Sequence, residues 1–242
     1  MAIYVGTSGW SYDHWHGVLY PHGLPARERL DYYLRAFATA ELNSSYYHWP
    51  RRASFYHWRR RLPENFRLSV KAPGLLTHVR RLYSPEGWVA RMRRDLWALG
   101  LRYAVLLVQL PPTLAYDYER LAWFLQCVPD EWRVTVEFRH PSWHREEVFA
   151  LLERHGAAYC IMSGAHLPCI LRATASFVYV RLHGPDTQHL YGGSYSDQDL
   201  YWWAERIREW QRQGRDVYAY FNNDGGGNAV RNAQRLKEFL WL

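Results

Sequence analysis

Residues 133–140 read RVTVEFRH, and the alternation within this stretch decides how the fold is interpreted. Successive side chains of a β-strand point to opposite faces. One face therefore carries Val134, Val136 and Phe138, and the other carries Thr135, Glu137 and Arg139. The apolar face predicts packing against helices. An acid and a base on the opposite face are costly to bury unless they are paired, so that face predicts a functional site or a stabilising network of charges.

The composition predicts one soluble globular domain over residues 1–242. Of the 242 residues, 48% are hydrophobic and 17% aromatic, which suffices for a large core and excludes a disordered chain. The longest strongly apolar run, YAVLLV at 103–108, is too short to cross a bilayer, and the opening residues lack the pattern of a leader peptide. Three cysteines without metal-type spacing favour a reducing compartment, so we expect a cytoplasmic protein.

Short apolar or β-branched runs alternate with amphipathic stretches along the chain. Eight runs predict strands, and they begin at Ile3, Thr39, Phe66, Tyr103, Arg133, Ala157, Phe177 and Asp216. Six stretches predict helices, at residues 28–37, 54–61, 118–127, 145–154, 197–213 and 228–240. The sixth connection, AHLPCILRATA, is the weakest as a helix. Eight βα units in about 240 residues predict an α/β fold, a single-domain (β/α)8 TIM barrel, with a doubly wound open sheet as the alternative.

Polar side chains gather near the C-terminal end of nearly every predicted strand, on the face that a barrel turns inward. They include Glu41, Asn43, Lys71, Gln109, Glu137, Arg139, Arg181, His183 and Asn222. Active sites of barrels lie at this end, and buried charges are costly unless paired, so the five charged residues of this set predict a site. The alternative is that the two glutamates only neutralise the three cations in a stabilising network.

A glycine-rich turn extends the predicted site. The segment NNDGGGNA at 222–229 leads into a predicted helix that Asn228 is placed to cap. Backbone N–H groups at a helix N-terminus attract phosphate, and barrels often bind phosphate after strands seven and eight. We therefore predict that Gly225, Gly226, Gly227 and Asn228 form an anion-binding loop, although three glycines in a row also suit an ordinary turn.

We expect no metal ion and no other cofactor. Ligand-competent side chains are present near the predicted site, namely Glu137, His140, His183 and Asp224. Three cations in the same region would repel a divalent ion, and the chain contains no H-x-H or H-E-x-x-H spacing. A divalent metal is therefore the weaker alternative.

Positive charge is concentrated in the first part of the chain. Residues 1–102 hold 16 Lys and Arg against 7 Asp and Glu, and the remaining residues hold 14 against 16. This asymmetry indicates an anionic partner, either a small molecule or nucleic acid, unless it only reflects an arginine-rich surface. The segment 46–63 interleaves aromatic residues with arginines, a pattern that is typical of surfaces that bind single-stranded nucleic acid. The alternative is that this pattern belongs to an ordinary amphipathic helix. Trp10 and Tyr47 are candidate walls of a ligand groove.

Eight motifs, in order along the chain, resemble those of the domain of unknown function 72 family, the YecE-like proteins. They are GTSGWSYDHWHG, AELNSSYY, LSVKAP followed by TH at 77–78, LLVQLPP, VEFRHPSW, YVRLHG, YSDQDL and YAYFNND. The resemblance implies a TIM barrel of the endonuclease IV and xylose isomerase type, without an established reaction. The residues that its motifs mark are Glu41, Asn43, Lys71, Gln109, Glu137, Arg139, His140, Trp143, Arg181, His183, Asn222 and Asn223.

These observations favour an enzyme that acts on an anionic, phosphate-bearing substrate, with hydrolysis as the default reaction. We predict Glu137, Lys71 and His183 as catalytic residues, with Glu137 as the general acid and base. The other marked residues, with Trp10 and Tyr47, would bind the substrate. The main alternative is a non-catalytic nucleic-acid-binding protein that uses the basic N-terminal half. A sugar site with Glu41 and Glu137 as a carboxylate pair ranks last.

Overall fold

The computed structural model describes all residues, 1–242. Eight strands alternate with helices along the chain. The strands are β1 (Ile3–Thr7), β2 (Thr39–Leu42), β3 (Arg67–Lys71), β4 (Tyr103–Leu110), β5 (Val134–Phe138), β6 (Ala158–Ser163), β7 (Phe177–Leu182) and β8 (Asp216–Phe221). The α-helices are α1 (Arg29–Ala36), α2 (Ser44–Tyr47), α3 (Arg52–Arg61), α4 (Glu86–Leu96), α5 (Tyr118–Cys127), α6 (Glu146–Arg154), α7 (Asp197–Arg212) and α8 (Asn228–Leu240).

The strands form one sheet in the order β1-β8-β7-β6-β5-β4-β3-β2. Registered strand pairs are parallel, for example Gln109 of β4 opposite Glu137 of β5. A parallel bridge between Ser8 and Glu41 joins the end of β1 to β2, so the first strand neighbours both the second and the last. This order, with a helical connection after most strands, is that of a (β/α)8 barrel, and the predicted TIM-barrel fold is confirmed.

Contacts between residues divide the chain into two compact units. The first unit comprises residues 1–41, 161–171 and 177–242, and the second comprises residues 42–160 and 172–176. Both boundaries near residues 41 and 160 fall within strands, β2 and β6 respectively. Each unit therefore combines segments that are distant in sequence, and a single domain over residues 1–242 stays a prediction.

In the first unit, α7 and α8 pack on β8, and α8 also packs on β1. The buried residues of α7 recur every three or four positions, at Leu200, Trp203, Ala204, Ile207 and Trp210, as on an amphipathic helix that covers a sheet. The N-terminus of α7 is fixed by a capping box, in which Ser196 accepts from the N–H of Asp199 and the Asp199 carboxylate accepts from the N–H of Ser196.

In the second unit, β3, β4 and β5 pair in sequence, and both faces of these strands are buried. β5 contains the RVTVEFRH alternation, and all five of its residues are buried. Phe138 stacks on Trp143, with ring centroids 5.0 Å apart. The predicted apolar face of this strand is therefore a packing face.

All eight predicted strands are present, and the six predicted helices match α1, α3, α5, α6, α7 and α8 to within two residues at each end. The sixth connection contains no helix. α2 and α4 were not among the predicted helices. Gly227, with a left-handed backbone, is the N-cap of α8, and Asn228 lies inside the helix, so the predicted capping by Asn228 is wrong. No helix has the length and apolar character needed to cross a membrane.

Candidate functional site

A polar network connects the C-terminal ends of β3, β4 and β5 in the second unit. The Gln109 side chain lies at its centre, because its Oε1 accepts from Lys71 Nζ at 2.9 Å and its Nε2 donates to Glu137 Oε1 at 2.7 Å. Arg139 Nε donates to the same Glu137 oxygen. The parallel register places Gln109 directly opposite Glu137, so the strand pairing itself builds this part of the network.

The members of this network differ in their access to solvent. Glu137 is 0% exposed, Gln109 and the Arg139 side chain are each 9% exposed, and Lys71 is half-buried. A fully buried carboxylate requires compensation by hydrogen bonds and an opposite charge, which Gln109 and Arg139 supply. Two cations against one carboxylate leave a net positive charge, and Lys71 is the member with the most access to solvent. The arrangement can therefore hold an anion.

Aromatic side chains and a histidine border Lys71. The Lys71 ammonium lies over the Tyr46 ring, 4.4 Å from its centroid. Tyr46 also meets His78 edge to face at 4.9 Å and Tyr47 edge to face at 5.0 Å. Tyr47 is 76% exposed, which makes it available as a wall for a ligand. The aromatic rings thus restrict Lys71 and add a flat surface beside the cations.

His78 lies in a single π-helical turn, Leu75–Val79, an element that is frequent at functional sites. Burial and the charge of Lys71 lower the pKa of His78, while Glu137 opposes this effect. His78 is therefore neutral at pH 7 and able to accept a proton.

The side chain of Thr77 contacts both the turn and the ring of His78. Thr77 Oγ1 donates to the carbonyl oxygen of Pro73 at 3.3 Å and lies 2.9 Å from His78 Nδ1. A Thr77 hydroxyl that donates to the Pro73 carbonyl oxygen accepts from Nδ1–H of His78. In this assignment Nε2 of His78 carries the free lone pair.

Three other predicted residues of the second unit contribute in different ways. Trp143 is 1% exposed and donates its indole N–H to the Leu114 carbonyl oxygen at 2.7 Å, so it supports β5 from the core and does not line a groove. His140 Nδ1 accepts from the N–H of Ser142 and fixes the turn after β5. Asn43 occupies the N-cap position of α2 without a capping side-chain hydrogen bond.

In the first unit, Glu41 and Arg181 form a fully buried ion pair. Arg181 Nε donates to Glu41 Oε2 at 3.0 Å, and Nη2 donates to Oε1 at 2.7 Å. Tyr179 and Ser8 donate further hydrogen bonds to the same carboxylate. Burial raises the pKa of Glu41, but the charge and hydrogen bonds of Arg181 outweigh it, so the pKa is lowered overall. The sequence left open the alternative that the glutamates only neutralise the cations in a stabilising network. The Glu41–Arg181 pair has the geometry of such a network.

The predicted residues at the ends of β7 and β8 pack in the first unit. His183 is fully buried, and its Nδ1 lies 3.2 Å from Asn222 Nδ2. Asn223 is also fully buried and donates to the Gly193 carbonyl oxygen at 3.0 Å and to Asn232 Oδ1 at 2.8 Å. Asn223 therefore ties the long connection after β7 to α8, which is a structural role.

The glycine-rich turn forms a short 3-10 helix, Gly225–Gly227, directly before α8. The preceding residue, Asp224, accepts from the Trp15 indole at 2.6 Å and contacts His14 Nε2 at 2.8 Å. Burial raises the pKa of Asp224, with the contacts to Trp15 and His14 opposing. A carboxylate at this turn makes it a poorer anion site than the glycines alone indicate, and the anion-binding loop stays a prediction.

Trp10 is half-buried, and its carbonyl oxygen accepts from the Tyr20 hydroxyl.

Side chains that bind metals do not cluster in this structure: no group of three or more His, Cys, Asp or Glu is placed to hold an ion. The Lys71 network contains one carboxylate with two cations around it. Its donor set is therefore suited to an anion and unsuited to a divalent cation.

Comparison with known proteins identifies the family. A family model described as protein of unknown function DUF72 matches residues 4–242. The chain belongs to the DUF72 family. The UPF0759 protein YunF of Bacillus subtilis (strain 168) is 27% identical, over 98% of this chain and 94% of YunF. The UPF0759 protein YecE of Escherichia coli (strain K12) is 28% identical, over 58% of this chain and 49% of YecE.

A solved structure of a DUF72 family protein from Thermotoga maritima resembles this DUF72 chain over its whole length. The TM-score is 0.90 at 30% sequence identity, with 100% of both chains covered. A DUF72 protein from Enterococcus faecalis V583 has a TM-score of 0.85 at 19% identity, which shows the fold alone. The family and fold expected from the sequence motifs are thus confirmed.

Sequence reasoning did not place His78 among the site residues of this DUF72 chain. His78 lies in the connection after β3, where no alternation indicates the direction of a side chain. A signal was nevertheless present, because the TH pair at 77–78 was one of the family motifs. The contact of His78 with Tyr46, which borders Lys71, depends on the π-helical turn, and apolar periodicity does not predict such a turn.

Proposed function

We propose that this DUF72 chain is an enzyme of the hydrolase type that acts on an anionic, phosphate-bearing substrate. The observation that carries the proposal is the network of Lys71, Gln109, Glu137 and Arg139 beside His78. It combines a half-buried lysine and a nearly buried arginine with a neutral histidine in a partly desolvated setting. Such a combination suits the binding of a phosphoryl group and proton transfer at its ester oxygen or at water.

Lys71 and Arg139 bind the phosphate in this proposal. Gln109 and Glu137 hold their charged ends in place, so the cations are oriented before the substrate arrives and lose little rotamer freedom on binding. Charge-assisted hydrogen bonds from two cations also stabilise the negative charge that develops on the phosphoryl oxygens in the transition state.

His78 is the general base in this proposal, through its Nε2 atom. The role of Glu137 changes relative to the sequence prediction: the carboxylate is fully buried and already accepts from Arg139 and Gln109, so we assign it as a positioning residue. Tyr47 provides a wall for the part of the substrate that carries the phosphate. No role in this proposal falls to His183 or to the Glu41–Arg181 pair.

The first experiment is isothermal titration of the protein with inorganic phosphate at low ionic strength. We expect Lys71→Met and Arg139→Met each to weaken phosphate binding about tenfold or more, the loss of one charge-assisted contact. Lys237→Met is the matched control, because Lys237, the other lysine of the chain, donates to the Ala36 carbonyl oxygen on α1. Equal phosphate affinity in all four proteins would refute the anion site.

The second experiment measures hydrolysis of a panel of phosphomonoesters and phosphodiesters. His78→Gln should abolish turnover of any ester that the wild type hydrolyses while phosphate binding is retained. Glu137→Gln should weaken phosphate binding and turnover together, because it releases Arg139. If phosphate binds at Lys71 but no ester is hydrolysed, the hydrolase assignment fails and the anion site stands.

A further inference from the structure

A cavity of about 720 Å³ lies in the second unit between α3, α4 and the end of α5. Its walls include Arg52, Glu86, Arg93, Arg94, Trp97 and Cys127. The rest of the lining is apolar, and neither the proposed reaction nor any predicted site uses this cavity. Its volume falls in the range of sites for small organic ligands, about 300–1,000 Å³.

Trp97 forms an exposed wall of the cavity. The residue is 67% exposed, and it follows directly on the C-terminal end of α4. A second cavity, of about 520 Å³, shares Trp97 and Arg93 with the first. Exposed tryptophan in a concave surface is costly to leave in water and is typical of recognition sites.

The charges around the cavity favour an anion. Three arginines, Arg52, Arg93 and Arg94, face one carboxylate, Glu86, which already accepts from the Trp123 indole at 2.7 Å. Arg93 and Arg94 each have a carboxylate partner, the exposed Glu131 at 2.9 Å and the buried Asp95 at 3.0 Å respectively.

Arg52 has no carboxylate partner within 4 Å. Its Nη2 donates to the Tyr56 hydroxyl at 3.1 Å, and its guanidinium carbon lies 5.9 Å from the centroid of the Trp97 ring. The cavity therefore presents an unneutralised guanidinium directly beside an exposed aromatic face. A ligand that carries both an aromatic ring and an anionic group matches both features at once.

We propose that this cavity is a binding site for a small aromatic anion, that is, an aromatic ring system that bears a carboxylate, sulfonate or phosphate. The ring packs against Trp97 and the apolar lining, and the anionic group pairs with Arg52 and Arg93. The site is separate from the Lys71 network and does not depend on the proposed function.

Cys127 is a natural reporter for occupancy. It is half-buried in the cavity wall, and burial together with Glu86 raises the pKa of its thiol. A ligand in the cavity should therefore shield a thiol that otherwise reacts slowly with a maleimide. Of the other two cysteines, Cys160 is buried and Cys169 is exposed, so Cys169→Ser removes the competing reactive thiol.

The first test uses 8-anilinonaphthalene-1-sulfonate, an aromatic sulfonate whose fluorescence rises on binding. We expect Trp97→Ala and Arg52→Ala each to weaken its binding about tenfold, about 1.4 kcal/mol. Trp202→Ala is the matched control for the first variant, because Trp202 on α7 is also exposed and also lies under an arginine, Arg206, at 5.8 Å. Arg51→Ala, at the exposed neighbouring position, is the control for Arg52→Ala.

The second test locates the probe. In Cys169→Ser protein, saturating probe should slow maleimide labelling of Cys127 at least about fivefold, and Trp97→Ala should remove this protection. Unprotected Cys127 at saturating probe would overturn the proposal, and so would equal probe affinity in Trp97→Ala and Trp202→Ala. The probe is also competed with single-stranded DNA and with mononucleotides. If the DNA displaces the probe at concentrations where mononucleotides have no effect, the proposal is overturned in favour of nucleic-acid binding.

Discussion

Replacement of Arg181 by methionine should strongly destabilise the protein, because it leaves the Glu41 carboxylate buried without its cation. The two side chains are 0% and 1% exposed, so solvent does not screen their interaction. Arg181 supplies two hydrogen bonds to the carboxylate, at 2.7 and 3.0 Å, and Tyr179 and Ser8 supply the others.

The magnitude follows from these contacts. Hydrogen bonds to a charged group contribute about 1.5–3 kcal/mol each, and loss of one partner of a buried pair costs about 3–5 kcal/mol. The remaining donors, Tyr179 and Ser8, keep the loss within that range. Typical free energies of unfolding are about 5–15 kcal/mol, so the variant should lose a large part of its stability.

The assay is urea unfolding followed by circular dichroism at pH 7. With a slope of about 3 kcal/mol per molar urea, the midpoint of Arg181→Met should fall by about 1–1.7 M. The double variant Glu41→Gln/Arg181→Met should recover part of this loss, because it no longer buries an unpaired charge. The matched control is Arg235→Met. Arg235 makes the same bidentate contact with Asp197, at 2.9 and 2.6 Å, but on the exposed surface. Loss of this contact should change the urea midpoint little.

Acid should reduce the effect of Arg181→Met. In the wild type the lowered pKa of Glu41 gives stability that is present above the unfolded value of about 4.3 and is lost as pH falls through the folded pKa. In the variant, burial is no longer opposed and raises the pKa of Glu41, so the carboxyl takes up a proton and the penalty shrinks between pH 7 and about pH 5. A midpoint unchanged by Arg181→Met at pH 7 would refute the assignment of this pair to stability.

Three further outcomes are expected. In an NMR titration, the pKa of His78 should lie below the usual value of about 6.5. Lys71→Met should raise this pKa and Glu137→Gln should lower it. Shifts of the opposite sign would contradict the site electrostatics. Gly227→Ala should lower the free energy of unfolding in urea by about 1–2 kcal/mol, because Gly227 has φ +77° and an added Cβ would lie 3.0 Å from Val18. Gly225→Ala should lower it clearly less, because an added Cβ there meets open space. Oligonucleotides should not bind measurably at about 0.15 M salt; an affinity that falls steeply with salt would instead support the nucleic-acid alternative.

Sequence alone determined the strands, most of the helices and the face on which the polar residues lie. The reason is local: alternation along a strand is a property of consecutive residues, and the residues at 133–140 keep it whatever their neighbours are. Recurrence of such runs then restricted the fold to a few α/β architectures, and the family motifs selected the barrel.

Only the tertiary structure decided which polar residues meet. Alternation assigns a side chain to a face but not to a partner, so Glu41 and Arg181, which are 140 positions apart, could not be paired in advance. The sequence prediction grouped Arg181 with Glu137 and Lys71 at one site. In the structure Arg181 pairs with Glu41, while Gln109 connects Lys71 to Glu137.

Burial likewise became known only from the structure. Trp143 and Asn223 belong to family motifs and carry polar atoms, as binding residues do, yet packing places both in the interior with their N–H groups satisfied. His78 shows the converse, because a π-helical turn brings it to Tyr46 beside Lys71. Solvent access depends on all elements that pack around a residue, and the free energy of that packing is not contained in any short stretch of the chain.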